Sequence, residues 1–228
     1  LGGPRYALLQ QEFARYRATL DRQRSDQLRS LVSFGGSDRD NLTGLTLEAF
    51  LAPALTDIAI DVAIGRNNPH RDRLERVIAE FPSARAHIAP ESLAPLMAKA
   101  DFSVGAGGTT IWERLCLDLP SLVVGLADNQ LPICESLHAA GRIEYLGPYG
   151  GLKLSDLRNA IRRVVEKLKV SEVYPPEPLV DGLGAERVAE VMVPSAHLTQ
   201  VLRPATYRDI DSYFWWINDS ETTFRARP

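Results

Sequence analysis

Residues 102–113 read FSVGAGGTTIWE, a short apolar strand that runs through glycines into the start of a helix. The apolar pattern predicts a strand over 102–104 and a helix over 110–117. Glycines between a strand and a helix let backbone amides approach an anion, and the helix N-terminus adds partial positive charge. A pyrophosphate is the natural ligand of such a turn. A dinucleotide fingerprint would need Gly or Ala at Thr110 and an acidic residue at Gly125, so the pattern argues against a dinucleotide.

The same alternation of strand and helix continues on both sides of this stretch. Further strands are predicted at 28–34, 58–64, 84–88, 121–124 and 143–146. Further helices are predicted at 41–51, 70–80, 92–100, 131–140, 155–168 and 185–192. The strands are apolar rather than alternating, which is typical of a parallel sheet covered by helices on both faces. The predicted fold is therefore α/β, with a Rossmann-like, doubly wound parallel sheet that binds ligands at the carboxyl ends of its strands.

Three polar features follow predicted strands and are candidates for the site. Gly35-Gly36-Ser37 is a second glycine turn, and two such turns in one sheet make a phosphate cleft more credible. Glu113 follows Thr110 at capping-box spacing, so it either caps the helix or binds ribose hydroxyls. Asn129, next to Gln130, either caps the following helix or reads sugar hydroxyls, because an amide carries both a donor and an acceptor.

The composition narrows the class of protein. The 228 residues are 45% apolar and 24% charged, which excludes a disordered chain and supplies a sizeable core. The net charge of −3 shows none of the excess of basic residues that is typical of nucleic-acid-binding proteins. No apolar run approaches the ~18 residues of a membrane helix. The cysteines, Cys116 and Cys134, suit a reducing cytosol, and the histidines show no metal-ligand spacing. We expect a cytoplasmic protein with no metal, no cofactor, no nucleic-acid partner and no membrane span.

The two ends of the chain predict a piece of a longer protein. The sequence begins at Leu1 rather than Met, and it stops at Pro228 soon after a new element has begun. That element is a predicted strand at 198–203 followed by a predicted helix at 206–218 with a large aromatic face. One strand and one helix cannot bury so much aromatic surface alone. We expect this short strand-helix tail to be the opening of another domain or to dock on the main one.

Three groups of segments carry a resemblance to a known family. They are YALL from Tyr6 with Glu12-Phe13, VSFGGSD from Val32 with Asn41-Leu42, and AGGTTIWE from Ala106 with Asp128-Asn129-Gln130. In these segments the chain resembles the second half of the UDP-2,4-diacetamido-2,4,6-trideoxy-β-L-altropyranose hydrolases of bacterial pseudaminic acid biosynthesis. Relatives of that family are often described as spore-coat or flagellar polysaccharide biosynthesis proteins. The match keeps its order over residues 1–193. The family in turn resembles the two-domain glycosyltransferases of GT-B type, including the one that adds N-acetylglucosamine in peptidoglycan assembly.

The resemblance implies a UDP-sugar or UDP as ligand and a role for each candidate residue. The diphosphate would be held by Gly107, Gly108, Thr109 and Thr110. Glu113 would bind the ribose, while His87 and Ile88 would lie beside the uracil, mostly through backbone groups. Asn129 and Gln130 would face the sugar, and Gly35, Gly36 and Ser37 would line the cleft from the other side. The reaction implied is attack of water at the anomeric carbon with UDP as leaving group.

One departure from the family limits what this chain can do alone. The family's general-base histidine belongs to a Gly-x-Gly-His type motif in the first half of the enzyme, and no histidine here matches it. The resemblance therefore implies a partner, the missing N-terminal half of the same enzyme. The catalytic residues of this chain stay unknown, and the chain is expected to bind UDP but to hydrolyse little or nothing by itself.

The tail has a resemblance of its own. Leu202-Arg-Pro-Ala-Thr206, with Asp209, Asp211 and Trp216-Ile-Asn-Asp219, resembles the first strand and helix of a GNAT-type N-acetyltransferase. The predicted domains are therefore 1–27 as a lead-in, 28–194 as a UDP-sugar-binding Rossmann-like domain, and 195–228 as a truncated acetyltransferase start. Two alternatives remain open: a GT-B glycosyltransferase with a UDP-sugar donor, and a non-catalytic UDP-sugar-binding module fused to an acetyltransferase.

Overall fold

The computed structural model describes residues 2–20, 27–170 and 178–192, and every structural statement below concerns these residues. The chain divides into two units, Leu1–Val188 and Ala189–Pro228. Of the second unit, only residues 189–192 are described. The strand predicted at 198–203, the helix predicted at 206–218 and the acetyltransferase resemblance lie outside the described residues.

A six-stranded sheet organises the first unit. Its strands are β1 (Arg29–Ser33), β2 (Ala59–Ile64), β3 (Ala84–Ile88), β4 (Phe102–Ala106), β5 (Ser121–Gly125) and β6 (Glu144–Pro148). The strand order is β3-β2-β1-β4-β5-β6, and every neighbouring pair is parallel. From β1 the chain winds outward to β3, and from β4 it winds outward to β6. The predicted doubly wound parallel sheet is confirmed, and its winding reverses between β1 and β4.

Helices alternate with these strands. The α-helices are α1 (Gln11–Thr19), α2 (Leu42–Phe50), α3 (Arg71–Ala79), α4 (Ala94–Lys99), α5 (Thr110–Cys116), α6 (Leu131–Ala139), α7 (Leu154–Val170) and α8 (Gly184–Met192). Short 3-10 helices cover Pro4–Tyr6, Pro53–Leu55, Asp128–Gln130 and Tyr149–Gly151. No helix among the described residues is long and apolar enough to cross a bilayer.

Two apolar cores lie on opposite faces of the sheet. Val32 belongs to one core, together with Phe50 of α2 and Ile161 of α7. Its neighbour Leu31 belongs to the other core, with Met97 of α4 and further side chains of α1, α5 and α6. Successive strand residues point to opposite faces, so an apolar strand is buried on both sides only when helices cover both. This is why apolar residues of the central strands are buried on both faces of the sheet.

The strand β4 is longer than predicted. It was expected to end at Val104, but Gly105 and Ala106 continue the ladder, with Gly105 paired to Ser33 of β1 and to Val123 of β5. A Cβ at Gly105 would overlap the backbone oxygen of Ser33. The glycine therefore serves close packing inside the sheet, and the turn begins only after Ala106.

Candidate functional site

Two glycine turns leave the sheet at the point where its winding reverses. Gly35-Gly36-Ser37 follows β1, and the turn Gly107–Thr109 follows β4. Because β1 and β4 are parallel neighbours, both turns leave from the same edge of the sheet. Residues 35–37 are exposed, and Gly35 has a φ of +84°, which favours glycine. Ligands of open α/β sheets bind in the crevice at such a reversal. The structure thus brings the two predicted turns to one edge.

The turn after β4 presents backbone donors without acceptors. Gly107 donates its amide to the Val124 carbonyl at 2.9 Å, and the helical bonds begin with the Ile111 amide, which donates to the Gly108 carbonyl at 3.0 Å. Between them, the amides of Gly108, Thr109 and Thr110 donate to no described residue. Consecutive open amides form a concave site for an anion. This turn can therefore hold a phosphate group without any rearrangement of the sheet.

A buried arginine lies under this turn. Arg114 is 2% exposed, and its Nη2 donates to the Ala106 carbonyl. Nη2 also donates to Thr110 Oγ1 at 3.4 Å, and Nε donates to the Thr110 carbonyl at 3.2 Å. Burial lowers the pKa of Arg114 to about 10. Arg114 was missed from the sequence, where the only signal was its position four residues after Thr110 in the helix.

Gln130 packs against the same glycine turn. Its Oε1 accepts a hydrogen bond from the Leu126 amide at 3.0 Å, and its Nε2 lies 3.7 Å from the position that a Cβ of Gly108 would take. Asn129, by contrast, is exposed. No side-chain cap begins α6, so the alternative interpretation of Asn129 as a helix cap is wrong. Of the two residues predicted to face the sugar, Gln130 thus lies beside the glycine turn and Asn129 is exposed to solvent.

Glu113 is half-buried on α5. Burial raises the pKa of Glu113; the Arg114 guanidinium opposes this rise, and the Glu12 carboxylate adds to it. Thr109 is the N-cap residue of α5, and no side-chain capping bond is formed there. The interpretation of Thr110 and Glu113 as a capping box is therefore wrong. Binding of ribose hydroxyls by Glu113 stays a prediction.

His87 and Ile88 end the edge strand β3. The Nε2 of His87 lies 2.7 Å from Asp61 Oδ1, while Asp61 Oδ2 accepts from Arg29 Nη1 at 2.9 Å. Three strand spacings, roughly 14 Å, separate β3 from β4. His87 and Ile88 lie at the carboxyl end of β3, the same edge of the sheet from which the glycine turns leave. The turn after β4 is about 14 Å away along that edge. Their contact with a uracil stays a prediction.

The turn after β1 is fixed by an aspartate whose role the sequence did not reveal. Asp38 is 5% exposed and has a φ of +37°. Its carboxylate accepts hydrogen bonds from the amides of Leu42 at 2.9 Å and Thr43 at 3.0 Å. These bonds satisfy the first donors of α2 and hold the exposed residues 35–37 in place.

A second opening lies at the opposite edge of the sheet. A cavity of about 460 Å³ there is lined in part by Ser121, which begins β5, and by Glu144, which begins β6. Both carboxylates of its wall are paired, Glu144 with Arg163 and Asp118 with Arg17, and Lys167 also lines it. The glycine edge is the stronger candidate for an anion site, because its donors are open. Among the described residues, no group of His, Cys, Asp and Glu side chains could hold a metal ion.

Comparisons with known proteins agree with this fold. The sequence matches no family model. It is 28% identical, over 201 residues, to the spore coat polysaccharide biosynthesis protein SpsG of Bacillus subtilis strain 168. That match covers 83% of this chain and 57% of SpsG. The chain thus spans little more than half the length of this relative.

Solved structures show the same architecture. The UDP-GlcNAc 2-epimerase of Neisseria meningitidis, bound to UDP-GlcNAc, aligns with a TM-score of 0.56 at 16% identity, over 78% of this chain and 48% of the epimerase. MurG of Acinetobacter baumannii aligns with a TM-score of 0.54 at 14% identity, over 77% of this chain and 52% of MurG. At these identities the likeness establishes the fold alone. The chain has a Rossmann-like α/β fold that corresponds to about half the length of each of these two structures.

Proposed function

We propose that the glycine turn after β4 binds the diphosphate of UDP or of a UDP-sugar. The observation that carries this proposal is the run of three open amides at Gly108, Thr109 and Thr110, placed where the winding of the sheet reverses. Two comparisons support the choice of ligand: SpsG acts in spore coat polysaccharide biosynthesis by its name, and the Neisseria epimerase was solved with UDP-GlcNAc.

The remaining residues receive roles around that diphosphate. Gly107 allows the turn to pack closely on the residues beneath it. Gln130 lies beside the turn, and together with the exposed Asn129 it would face the sugar. Glu113 would bind the ribose hydroxyls. His87 and Ile88 would contact the uracil, at the edge strand. The turn at Gly35, Gly36 and Ser37 would close the cleft opposite the diphosphate.

For the whole protein we infer a UDP-sugar hydrolase with this chain as its nucleotide-binding half. Water would attack the anomeric carbon of a UDP-2,4-diacetamido-2,4,6-trideoxyhexose. The new C–O bond to water forms as the bond between the anomeric carbon and the diphosphate oxygen breaks, and UDP departs with that oxygen. The water proton passes to a general base in the N-terminal half, so the isolated chain is expected to be inactive. Open amides stabilise the charge on the leaving diphosphate.

The domain arrangement is part of the same proposal. Residues 28–194 would form the UDP-binding domain in the cytoplasm, and 195–228 would begin a GNAT-type acetyltransferase domain. An acetylation of the amino sugar precedes hydrolysis chemically, because the proposed substrate already carries both acetamido groups.

Calorimetric titration tests the diphosphate site directly. We expect UDP to bind the chain, and uridine to bind much more weakly because it lacks the diphosphate. Thr109→Val removes an exposed hydroxyl beside the open amides and should weaken UDP binding roughly tenfold or less, the range of one hydrogen bond. Thr56→Val is the matched control, because Thr56 is exposed in the turn before β2, at the opposite edge of the sheet. Absence of UDP binding by the unmodified chain would refute the proposal.

A second experiment separates hydrolysis from glycosyl transfer, the runner-up that the likeness to MurG keeps open. The longer protein is given the UDP-altropyranose in ¹⁸O-water. A hydrolase releases a free sugar with ¹⁸O at the anomeric carbon and unlabelled UDP. A transferase consumes the nucleotide sugar only when an acceptor is added and incorporates no ¹⁸O. Consumption by neither route would favour a non-catalytic binding module.

A further inference from the structure

We propose that Arg114 is the cation of this anion site, a positioning residue that holds the glycine turn from below and compensates the charge of the bound diphosphate. This inference rests on the proposed function. In this proposal the positive charge of Arg114 makes the turn prefer a diphosphate to an uncharged ligand.

The first support is the set of groups that Arg114 holds. Its Nη2 and Nε donate to the carbonyls of Ala106 and Thr110, and Nη2 also reaches Thr110 Oγ1. Ala106 is the last residue of β4 and Thr110 is the first of α5. The guanidinium therefore joins the two ends of the turn. Because a guanidinium only donates, these bonds use none of the amides of Gly108 to Thr110, which donate to no described residue.

The second support is a charge without a carboxylate partner. Arg114 is 2% exposed and forms an ion pair with none of the described carboxylates. Burial lowers the pKa of Arg114 and outweighs the neighbouring Glu113 carboxylate, which raises it, so the charge is compensated only in part. Removing a cation from water is costly unless an opposite charge compensates it. A diphosphate in the turn above would supply that negative charge. Binding of a diphosphate would therefore offset the cost of burying this cation.

The third support is the position of Arg114 in the sheet. A Cβ at Gly105 would lie 2.7 Å from Arg114 Nη1 and would overlap the Ser33 carbonyl. Gly105 and Ser33 pair across β4 and β1, close to the carboxyl ends of both strands. The guanidinium thus lies beside the reversal point of the sheet. Among the described residues, none accepts a hydrogen bond from Nη1.

A second arginine, which contacts the other end of α5, provides a matched control. Arg17 of α1 donates to the carbonyl of Cys116, the last residue of α5. It also pairs with Asp118 at 2.8 Å, so its charge is neutralised. Arg17 and Arg114 therefore hold opposite ends of α5, and of these two only Arg114 lies outside an ion pair and next to the glycine turn.

The test measures binding of UDP, inorganic pyrophosphate and uridine by calorimetry, with folding checked by circular dichroism. The variants are Arg114→Met, Arg114→Lys and Arg17→Met. We expect Arg114→Met to weaken UDP and pyrophosphate binding about 10- to 100-fold, as for the loss of a charged hydrogen-bonding partner, with uridine binding unchanged. Arg114→Lys keeps the charge and should recover part of that loss. Arg17→Met should leave all three affinities within about threefold, because it removes a neutralised charge.

The remaining outcomes contradict the role of Arg114, the proposed UDP site, or both. If Arg114→Met binds UDP as tightly as the unmodified chain, or if Arg114→Lys recovers nothing, the cation role is overturned while the UDP site stands. If neither Arg114 variant folds, Arg114 is a requirement of the fold and the proposal is overturned. If the unmodified chain binds pyrophosphate but not UDP, the nucleotide assignment fails and the pyrophosphate data alone decide on Arg114. If it binds neither, both proposals fail.

Discussion

The sulfur of Cys134 occupies the space that a side chain at Gly107 would need. A Cβ at Gly107 would overlap Cys134 Sγ, whereas the next nearest atoms, in Val123 and Gln130, would be 3.4 and 3.5 Å away. Both Gly107 and Cys134 are buried. We therefore expect Gly107→Ala to lower the free energy of unfolding by about 1–3 kcal/mol, the usual cost of overpacking. Because only the sulfur blocks the new methyl group, adding Cys134→Ala should recover most of this loss. Urea unfolding of both single variants and the double variant measures the coupling.

Gly150→Ala is the control for this pair, because a Cβ at Gly150 would have no atom within 4 Å. We expect it to change the free energy of unfolding by less than about 0.5 kcal/mol, as surface substitutions do. Additive effects of Gly107→Ala and Cys134→Ala would contradict the packing argument, since independent sites show no coupling.

Asp38 is expected to stabilise the turn after β1. Its carboxylate accepts from the amides of Leu42 and Thr43, so Asp38→Ala leaves two donors of α2 without partners. The loss of such a cap typically costs about 1–2 kcal/mol of unfolding free energy. Asp40→Ala, an exposed neighbour in the same turn, should cost less than about 0.5 kcal/mol. Thermal or urea unfolding compares the two variants. Equal losses would mean that the capping bonds contribute nothing.

The sequence predicted the architecture because strand burial is a local signal. The runs at 58–64 and 84–88 are bounded by turn residues, and the strands β2 and β3 match them to within one residue. The glycine turns were found for the same reason, since Gly35 and Gly107 stand where strands end. Their meeting at one edge follows from the parallel order of the strands, which alternation of strand and helix implies.

The groups beneath and beside the turns could not be predicted in this way. Arg114 donates to the Ala106 carbonyl in the preceding strand. Nothing in the sequence distinguishes a buried arginine of a helix from an exposed one. The contact of Cys134 with Gly107 and the bond between His87 and Asp61 join residues 27 and 26 positions apart. Such pairs depend on how neighbouring strands and helices pack, which periodicity does not encode. The two glycine turns are therefore predictable from the sequence, whereas the side chains that support them are not.

The pairing of Asp61 predicts a pH dependence of stability. Burial raises the pKa of Asp61, but hydrogen bonds from His87 and Arg29 outweigh it and hold the pKa below 3.8. The unfolded chain therefore binds a proton at a higher pH than the folded chain does. Stability from Asp61 is present above about pH 4 and is lost as the pH falls through the lowered pKa. Asp61→Asn should lose stability at pH 7, and its deficit relative to the unmodified chain should shrink towards pH 3.

Urea unfolding at pH 7, 5 and 3 measures this difference. Asp57→Asn serves as the control, because Asp57 is exposed just before β2. We expect Asp57→Asn to follow the unmodified chain at all three pH values. A deficit of Asp61→Asn that is the same at pH 3 and pH 7 would contradict an ionised, paired carboxylate.

We predict that the ionised Glu113 carboxylate lowers the free energy of unfolding of the protein and strengthens ligand binding. Burial raises the pKa of Glu113, opposed by Arg114 and reinforced by Glu12. The folded chain then holds this proton more tightly than the unfolded chain, so folding becomes less favourable as the pH rises from 4.5 through the raised pKa. At pH 7 the ionised carboxylate is a cost to the fold. Glu113→Gln should therefore unfold at a higher urea concentration at pH 7, and this gain should vanish below pH 4.5.

The same substitution should weaken nucleotide binding if the carboxylate accepts hydrogen bonds from the ribose. UDP-N-acetylglucosamine is the suitable ligand, because both of its phosphates are diesters and keep their charge across the pH range. Its binding to the unmodified chain should weaken as the pH falls through the raised pKa of Glu113, and binding to Glu113→Gln should be weaker at pH 7 and independent of pH. Glu48→Gln, exposed on α2, should change neither stability nor affinity. If Glu113→Gln is more stable but binds the ligand with unchanged affinity, Glu113 has no part in binding. If it is more stable and binds more weakly, the Glu113 carboxylate strengthens ligand binding while it lowers the stability of the fold.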